Sequence, residues 1–194
     1  MTQTIPTQAP ATRTVDGAEV PAAGVYALDV SHSHVGFAIR HLMVSKVHGQ
    51  FDRFIGTVAI ADDPSQSSVE VEVDLTSVDT RDEKRDAHLR SPDFFHTDVH
   101  PTMAFRSTSV RLAKNRWIVE GDLTLNGVTR PIELEVTYEG SATSPWGTTS
   151  IGFSATGKLN RDDFGLSWNQ ALETGGFMLG KDVTLEIEAE AIAQ

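Results

Sequence analysis

The sequence predicts a mainly all-β domain, an antiparallel sheet of roughly eight to ten strands with one short helix set into it. Three observations carry that prediction. From Gly24 onward, apolar and polar residues alternate over most of the chain at the period of two that half-buried strands require. Turn-forming pairs, Asn126-Gly127 foremost, separate the alternating runs. One long stretch, Ser77 to Phe105, breaks the pattern by crowding charges together and then placing several large apolar groups in a row.

Residues 1–21 are rich in Thr, Pro, Ala and Gln and have no apolar periodicity, so they read as a disordered tail ahead of a single domain over residues 22–194. They lack the basic start and apolar run of a secretory signal, and no other stretch approaches the roughly 20 apolar residues of a membrane span. A cytoplasmic protein without stable membrane insertion is the expectation. Strands are then expected at 25–29, 35–42, 47–51 and 54–60, with Gly49 and Gly56 as bulges or bends in strands that curve. Val69, Val71, Val73 and Leu75 against Glu70, Glu72 and Asp74 give one of the cleanest alternations.

In the insert, Asp82 suits a helix N-cap, Glu83 suits the first turn, and Pro92 stops the helix just past Ser91, which leaves about two to three turns near residues 82–91. Phe94, Phe95, Met103 and Phe105 follow, each costing roughly 1.5–3 kcal/mol if left in water. This segment must fold back onto something apolar. Further strands are expected at 105–112, 116–125, 132–138, 149–159 and 183–191, broken by Lys114-Asn115, Asn126-Gly127 and Ser144-Pro145-Trp146-Gly147. An amphipathic sheet of this size pairs with a second sheet or closes on itself, and at about eight strands a closed barrel has room for packed side chains or one slender ligand.

Composition excludes several functions. The chain of 194 residues has no cysteine, hence no disulfide, thiol nucleophile or thiolate metal site. Its formal charge of −11 argues against nucleic acid or anionic lipid surfaces as partners. No G-x-S-x-G elbow, H-E-x-x-H or phosphate loop is present, so an enzyme is not expected, nor any cofactor. His32 with His34, and His96 with His100, have spacings that could serve a metal, but neither pair has a third ligand at a recognisable interval, and no metal site is expected.

Asp29-x-x-His32-Ser33-x-Val35-x-Phe37-x-Ile39-x-His41-Leu42-x-Val44-Ser45-x-Val47-x-Gly49-x-Phe51 resembles the opening of the YceI-like family, the polyisoprenoid-binding, lipocalin-like proteins. Further blocks agree in order: Arg85-Asp86-x-His88-Leu89-x-Ser91-x-Asp93-Phe94-Phe95, Gly121-x-Leu123-Thr124-x-x-Gly127-Val128-Thr129-x-Pro131, Arg161-x-x-Phe164-Gly165, and Gly180-x-x-Val183-x-Leu185-x-Ile187. The resemblance implies an extended, eight-stranded, lipocalin-like antiparallel barrel that holds a long apolar chain such as a polyprenyl phosphate, a quinone tail or a fatty amide. It also makes a homodimer through an edge strand plausible. Asn126 departs from the family pattern, in which a bulkier residue, often His, is expected at this hairpin.

An isoprenoid tail offers only methyls and double bonds, so its site needs an aromatic and aliphatic lining. Phe37, Ile39, Phe51, Leu89, Phe94, Phe95, Met103, Phe105, Trp117, Phe153, Phe164 and Trp168 are the candidates; the plain alternative is that they fill a solid core. An anionic head group would need cations and donors at a pocket mouth, and Arg40, His41, Arg85, His88 and Arg161 are the candidates, with Arg90 also available. The plain alternative for these arginines is pairing with Asp82, Asp86, Asp93 or Asp162. Two functions follow: a carrier or sequestering protein for an isoprenoid or similar lipid, or a solid barrel serving as an interaction or stress-response module through its charged helix.

Overall fold

The structure is a computed structural model that describes residues 12–113, 116–173 and 175–194. Strands β1 (Thr12–Val15) and β2 (Ala18–Pro21) form a separate hairpin. Strand β3 (Gly24–Leu28) runs through a 3-10 turn at Val30–His32 into β4 (His34–His41). After them come β5 (Ser45–Phe51), β6 (Phe54–Ile60), β7 (Ser68–Asp74) and β8 (Val78–Asp79). The single helix α1 (Glu83–Arg90) precedes β9 (Thr102–Ala113), β10 (Arg116–Leu125), β11 (Val128–Thr143), β12 (Thr149–Asn160) and β13 (Leu179–Ala193).

The ring closes through β13. On one side it pairs with β12 from Ser150↔Ile192 to Asn160↔Asp182; on the other it pairs first with β4 and then with β3. Because β3/β4, β5/β6 and β7/β8 are each one long strand broken in the middle, the result is a closed barrel of eight antiparallel strands. Closure removes sheet edges, which is how such folds avoid edge-to-edge association. The long edge that strand-mediated dimerisation would need is therefore mostly consumed. What remains is on β5, which meets β8 only at Gln50 and Phe51. Helix α1 lies at that gap.

The helix forms where the sequence places it. Asp82 accepts from the backbone N–H groups of Lys84 and Arg85 at 3.0 and 3.1 Å, and Ser91 ends the helix. Polar bonds rather than an apolar stripe seat it: buried Asp86 accepts from the backbone and hydroxyl of Thr80, and Arg90 donates to the carbonyls of Thr76 and Val78. Residues 91–97 then fold back, with the Phe95 N–H donating to Leu89 O at 2.9 Å, and both Phe94 and Phe95 are buried. Asn126 and Gly127 both take positive φ, 52° and 73°, in the expected hairpin turn.

Two expectations are corrected. Residues 12–21 are not a disordered tail but the β1–β2 hairpin, turned at Asp16-Gly17 and laid across one end of the barrel. An isolated hairpin is marginal in water, so its stability comes from what it touches. Val20 is fully buried among Val110, Trp117, Val119 and Leu134, and the Arg13 guanidinium donates to the carbonyls of Pro21, Ala61 and Asp62. Residues 1–11 and the Lys114-Asn115 turn lie outside the described residues. Secondly, Gly49 and Gly56 are neither bulges nor bends. Both sit in unbroken ladders, and Gly49 is needed because a Cβ there would stand 2.3 Å from the Phe37 ring. The register shifts fall instead at Glu120/Gly121, at Tyr138/Gly140 and between Leu179 and Val183.

Candidate functional site

The barrel is not solid. Two apolar chambers lie along its axis, a mouth chamber of about 440 Å³ beneath α1 and an inner chamber of about 180 Å³. Phe51, Met103 and Leu185 line both, so the chambers abut across these three side chains. The mouth chamber alone has a volume in the range of small-molecule sites, roughly 300–1,000 Å³. Pro21 of the hairpin lines the inner chamber, and Val20 packs behind the wall against Val110, Trp117, Val119 and Leu134, which line it too.

Strand period builds the lining. Phe37, Ile39 and His41 alternate on β4 and face the mouth chamber, where Leu89, Phe94, Phe95 and Trp168 complete the wall. Phe105, Trp117 and Phe153 line the inner chamber. All but one of the apolar candidates are therefore brought together. Phe164 is the exception: it sits in the 3-10 turn Arg161–Phe164, is 1% exposed, and packs in the core instead of facing a chamber.

The polar groups gather at the mouth. His88 Nε2 donates to the Asp93 carboxylate at 2.8 Å, and its ring stands edge-on to Phe94 and Trp168 at 5.1 and 4.8 Å. Arg85 donates through Nε to Thr80 Oγ1 at 2.7 Å and through Nη2 to Thr80 O at 2.6 Å. Arg161 is the most deeply set, 3% exposed, with Nε on Gly180 O at 2.9 Å and Nη1 on the carbonyls of Trp168, at 2.9 Å, and Leu166. Among the described residues no carboxylate stands within ion-pair distance of it, because Asp162 is taken by Lys181 at 2.8 Å. Burial pushes the Arg161 guanidinium down from its ordinary value, with nearby Asp162 opposing. An arginine remains charged under such a shift, so a lone buried cation faces an apolar chamber.

The sequence profile of the YceI-like domain matches residues 26–191. The chain belongs to the YceI-like family. A UPF0312 protein of Staphylococcus aureus (strain MSSA476) is 41% identical over 167 residues, covering 85% of this chain and 95% of that one. Among solved structures, the YceI protein of Campylobacter jejuni superimposes with a TM-score of 0.69 at 31% identity, over 80% of this YceI-like chain and 90% of that one. Two others share the fold at lower identity. BcnA of Burkholderia cenocepacia has a TM-score of 0.72 at 20% identity, over 86% of this chain and 99% of that one. A polyisoprenoid-binding domain of Saccharophagus degradans has a TM-score of 0.62 at 18% identity, over 87% of this chain and 98% of that one.

In this YceI-like barrel two polar candidates, Arg40 and Arg90, line neither chamber. Arg40 is exposed and does not line a chamber, because the alternation that turns Ile39 and His41 inward turns Arg40 outward. The other arginines are held differently from the carboxylate pairing weighed for them: Arg85, Arg90 and Arg161 all bond backbone carbonyls. The site also includes residues that were not expected to line it, notably Leu166, Met178, Leu179 and Val183 at the mouth. The first two come from the irregular loop between β12 and β13, where periodicity carries no signal. Among the histidines, His32 is gathered with Asp29 and Glu190 rather than with His34, their ligand atoms lying within 4.8 Å of one another. Asp29 already serves the local turn, accepting from Ser31 and His32, and these bonds lower its carboxyl to about 2.

Proposed function

We propose that the protein binds one long-chain isoprenoid or similar amphiphilic lipid, such as a polyprenyl phosphate or a quinone, and carries or sequesters it. The apolar tail fills the mouth chamber and reaches towards the inner one, and the head group lies at the mouth beside Arg161, Arg85, His88 and His41. The observation that carries this reading is the pair of apolar chambers abutting between the mouth and the hairpin, with a buried guanidinium held by backbone carbonyls at the polar end. Such chambers match a tail that offers only hydrocarbon, and the guanidinium would supply charge-assisted hydrogen bonds to an oxygen-rich head group. The Saccharophagus degradans neighbour, a polyisoprenoid-binding domain, agrees with this cargo class. A barrel with open chambers is also a poor fit for the interaction-module alternative, which requires a solid core.

The test is native mass spectrometry of freshly purified protein, with solvent extraction and lipid identification. A discrete added mass that extracts as a prenyl phosphate, a quinone or a fatty amide supports the reading and names the cargo. A bare protein mass that stays unchanged after incubation with each of those lipids overturns it.

A further inference from the structure

The turn between β4 and β5 breaks three local rules at once. Val44 N–H donates to His41 O at 3.1 Å, closing a four-residue turn whose central residues, Leu42 and Met43, have φ of +51° and +59°. Glycine and asparagine are the residues that ordinarily fill such positions, and this chain uses them at Asn126-Gly127. The apolar side chains of the turn then face solvent: Leu42 is 40%, Met43 72% and Val44 84% exposed. Below the turn, Arg40 stands directly opposite Lys46, and among the described residues neither has a carboxylate within ion-pair distance. Like charges directly opposite one another weaken a hairpin. Departures of this kind concentrate where function demands them.

Position and charge say what the turn faces. His41 lines the mouth chamber, and Leu42 N–H donates to Met178 O at 2.7 Å, next to Phe177, which is 58% exposed. The turn and Phe177 thus form one apolar lip on the chamber's mouth. Around it, residues 30–51 contain no Asp or Glu in a chain whose net charge is −11. Glu186 of β13, 3.3 Å from His48, is the carboxylate that faces this stretch, well down the ladder from the turn. The net negative charge works against an anionic surface, and Arg40 and Lys46 beside the turn work towards one.

We propose that this lip docks onto a bilayer containing anionic lipids, with Leu42, Met43, Val44 and Phe177 entering the boundary between head groups and acyl chains and Arg40 and Lys46 lying against phosphates. Apolar residues flanked by cations are the composition of interfacial anchors. A second copy of the chain is a poorer occupant, because a stable dimer needs about 800 Å² from each partner and a narrow hairpin tip offers far less. Docking would place the mouth chamber against a membrane, the phase from which a lipid is drawn. It goes beyond the carrier reading, because it requires no cargo.

The experiment is co-sedimentation with vesicles of phosphatidylcholine alone or of equal parts phosphatidylcholine and phosphatidylglycerol. The wild type is expected to bind the mixed vesicles, less so as salt rises. Leu42→Asn/Met43→Gly, which relaxes the turn and removes the wedge, is expected to melt at a higher temperature and yet bind at least about tenfold less. Arg40→Glu/Lys46→Glu is expected to lose the preference for phosphatidylglycerol. Equal binding by wild type and the Asn-Gly variant overturns the proposal, as does a wild type that binds neither vesicle. A wild-type dimer that the Asn-Gly variant dissociates also overturns it, in favour of self-association. Native mass spectrometry of the same preparations separates the two readings: vesicle binding by a protein that never takes up lipid sinks the carrier and leaves docking intact.

Discussion

At the far end of the barrel, Val20 and Pro21 are buried against the sheet; at the mouth, α1 is held by a cap, a buried Asp86–Thr80 contact and two arginines on backbone carbonyls. The two closures differ in how they open. The cap and arginine bonds, each exchanged for one to water at a net cost of about 0.5–1.5 kcal/mol, can break one at a time, while the buried Asp86–Thr80 contact costs more. Withdrawing a buried valine exposes the whole side chain together, at about 1.5–3 kcal/mol before the loss of its neighbours' contacts. The polar end is thus the door and the apolar end the floor, although both are built from short elements at the margins of the sheet.

The sharpest way to break this comparison is Arg161→Leu. It strands the carbonyls of Leu166, Trp168 and Gly180 without their donor, and a loss of about 3 kcal/mol is expected in urea unfolding. It should also weaken retention of a prenyl phosphate more than that of a neutral quinone. Equal losses for both lipids would remove Arg161 from head-group recognition and leave it a structural role only.

Next in size is Val20→Ala at the floor, expected to cost about 2 kcal/mol. The same change deepens the inner chamber, so lipids recovered from the variant should include longer chains than those from the wild type. An unchanged length distribution in a folded variant would mean that the hairpin does not limit the cargo. Asp82→Ala, which removes the cap of α1, is expected to lower the melting temperature by about 3 °C and to speed lipid release while leaving the length distribution unchanged.

The smallest effect lies between the two ends, at the Val30–His32 turn that breaks the first long strand. Asp29 is lowered to about 2, first by its hydrogen bond from the Ser31 hydroxyl and then by that from His32, and His32 is raised, chiefly by its hydrogen bond to Asp29. The Asp29 contribution is complete above pH about 4 and disappears as pH falls towards about 2. The His32 contribution is complete below about 6.5 and disappears as pH rises through its folded value. The difference in melting temperature between wild type and Asp29→Asn should therefore be greatest between those limits. A difference that stays flat from pH 3 to 9 would refute the pairing.

Alternation made the sheet legible, and the cap and stop at Asp82 and Pro92 made the helix legible, because both are local signals. Residues 12–21 were not, since a strand that carries only Val15, Val20 and Pro21 as large apolar groups reads as tail until the barrel end that receives it exists. Arg40 was readable and misread: Phe37, Ile39 and His41 already fixed the inward phase of β4, which excludes the residue between the last two. Arg161 was visible as a cation, but its bonds run to carbonyls of a loop without periodicity, and only folding brings those into reach.

The floor of the cavity is made by residues that precede the matched domain, which begins at Tyr26. Depth and barrel are therefore set by separate parts of the chain. The eight strands can keep their register, their lining and their mouth while a different leader, longer, shorter or bulkier at the position of Val20, resets how far a chain can run before it meets a wall. Selectivity for length, which a wall of methyl groups cannot supply by contact, becomes a matter of where the passage ends.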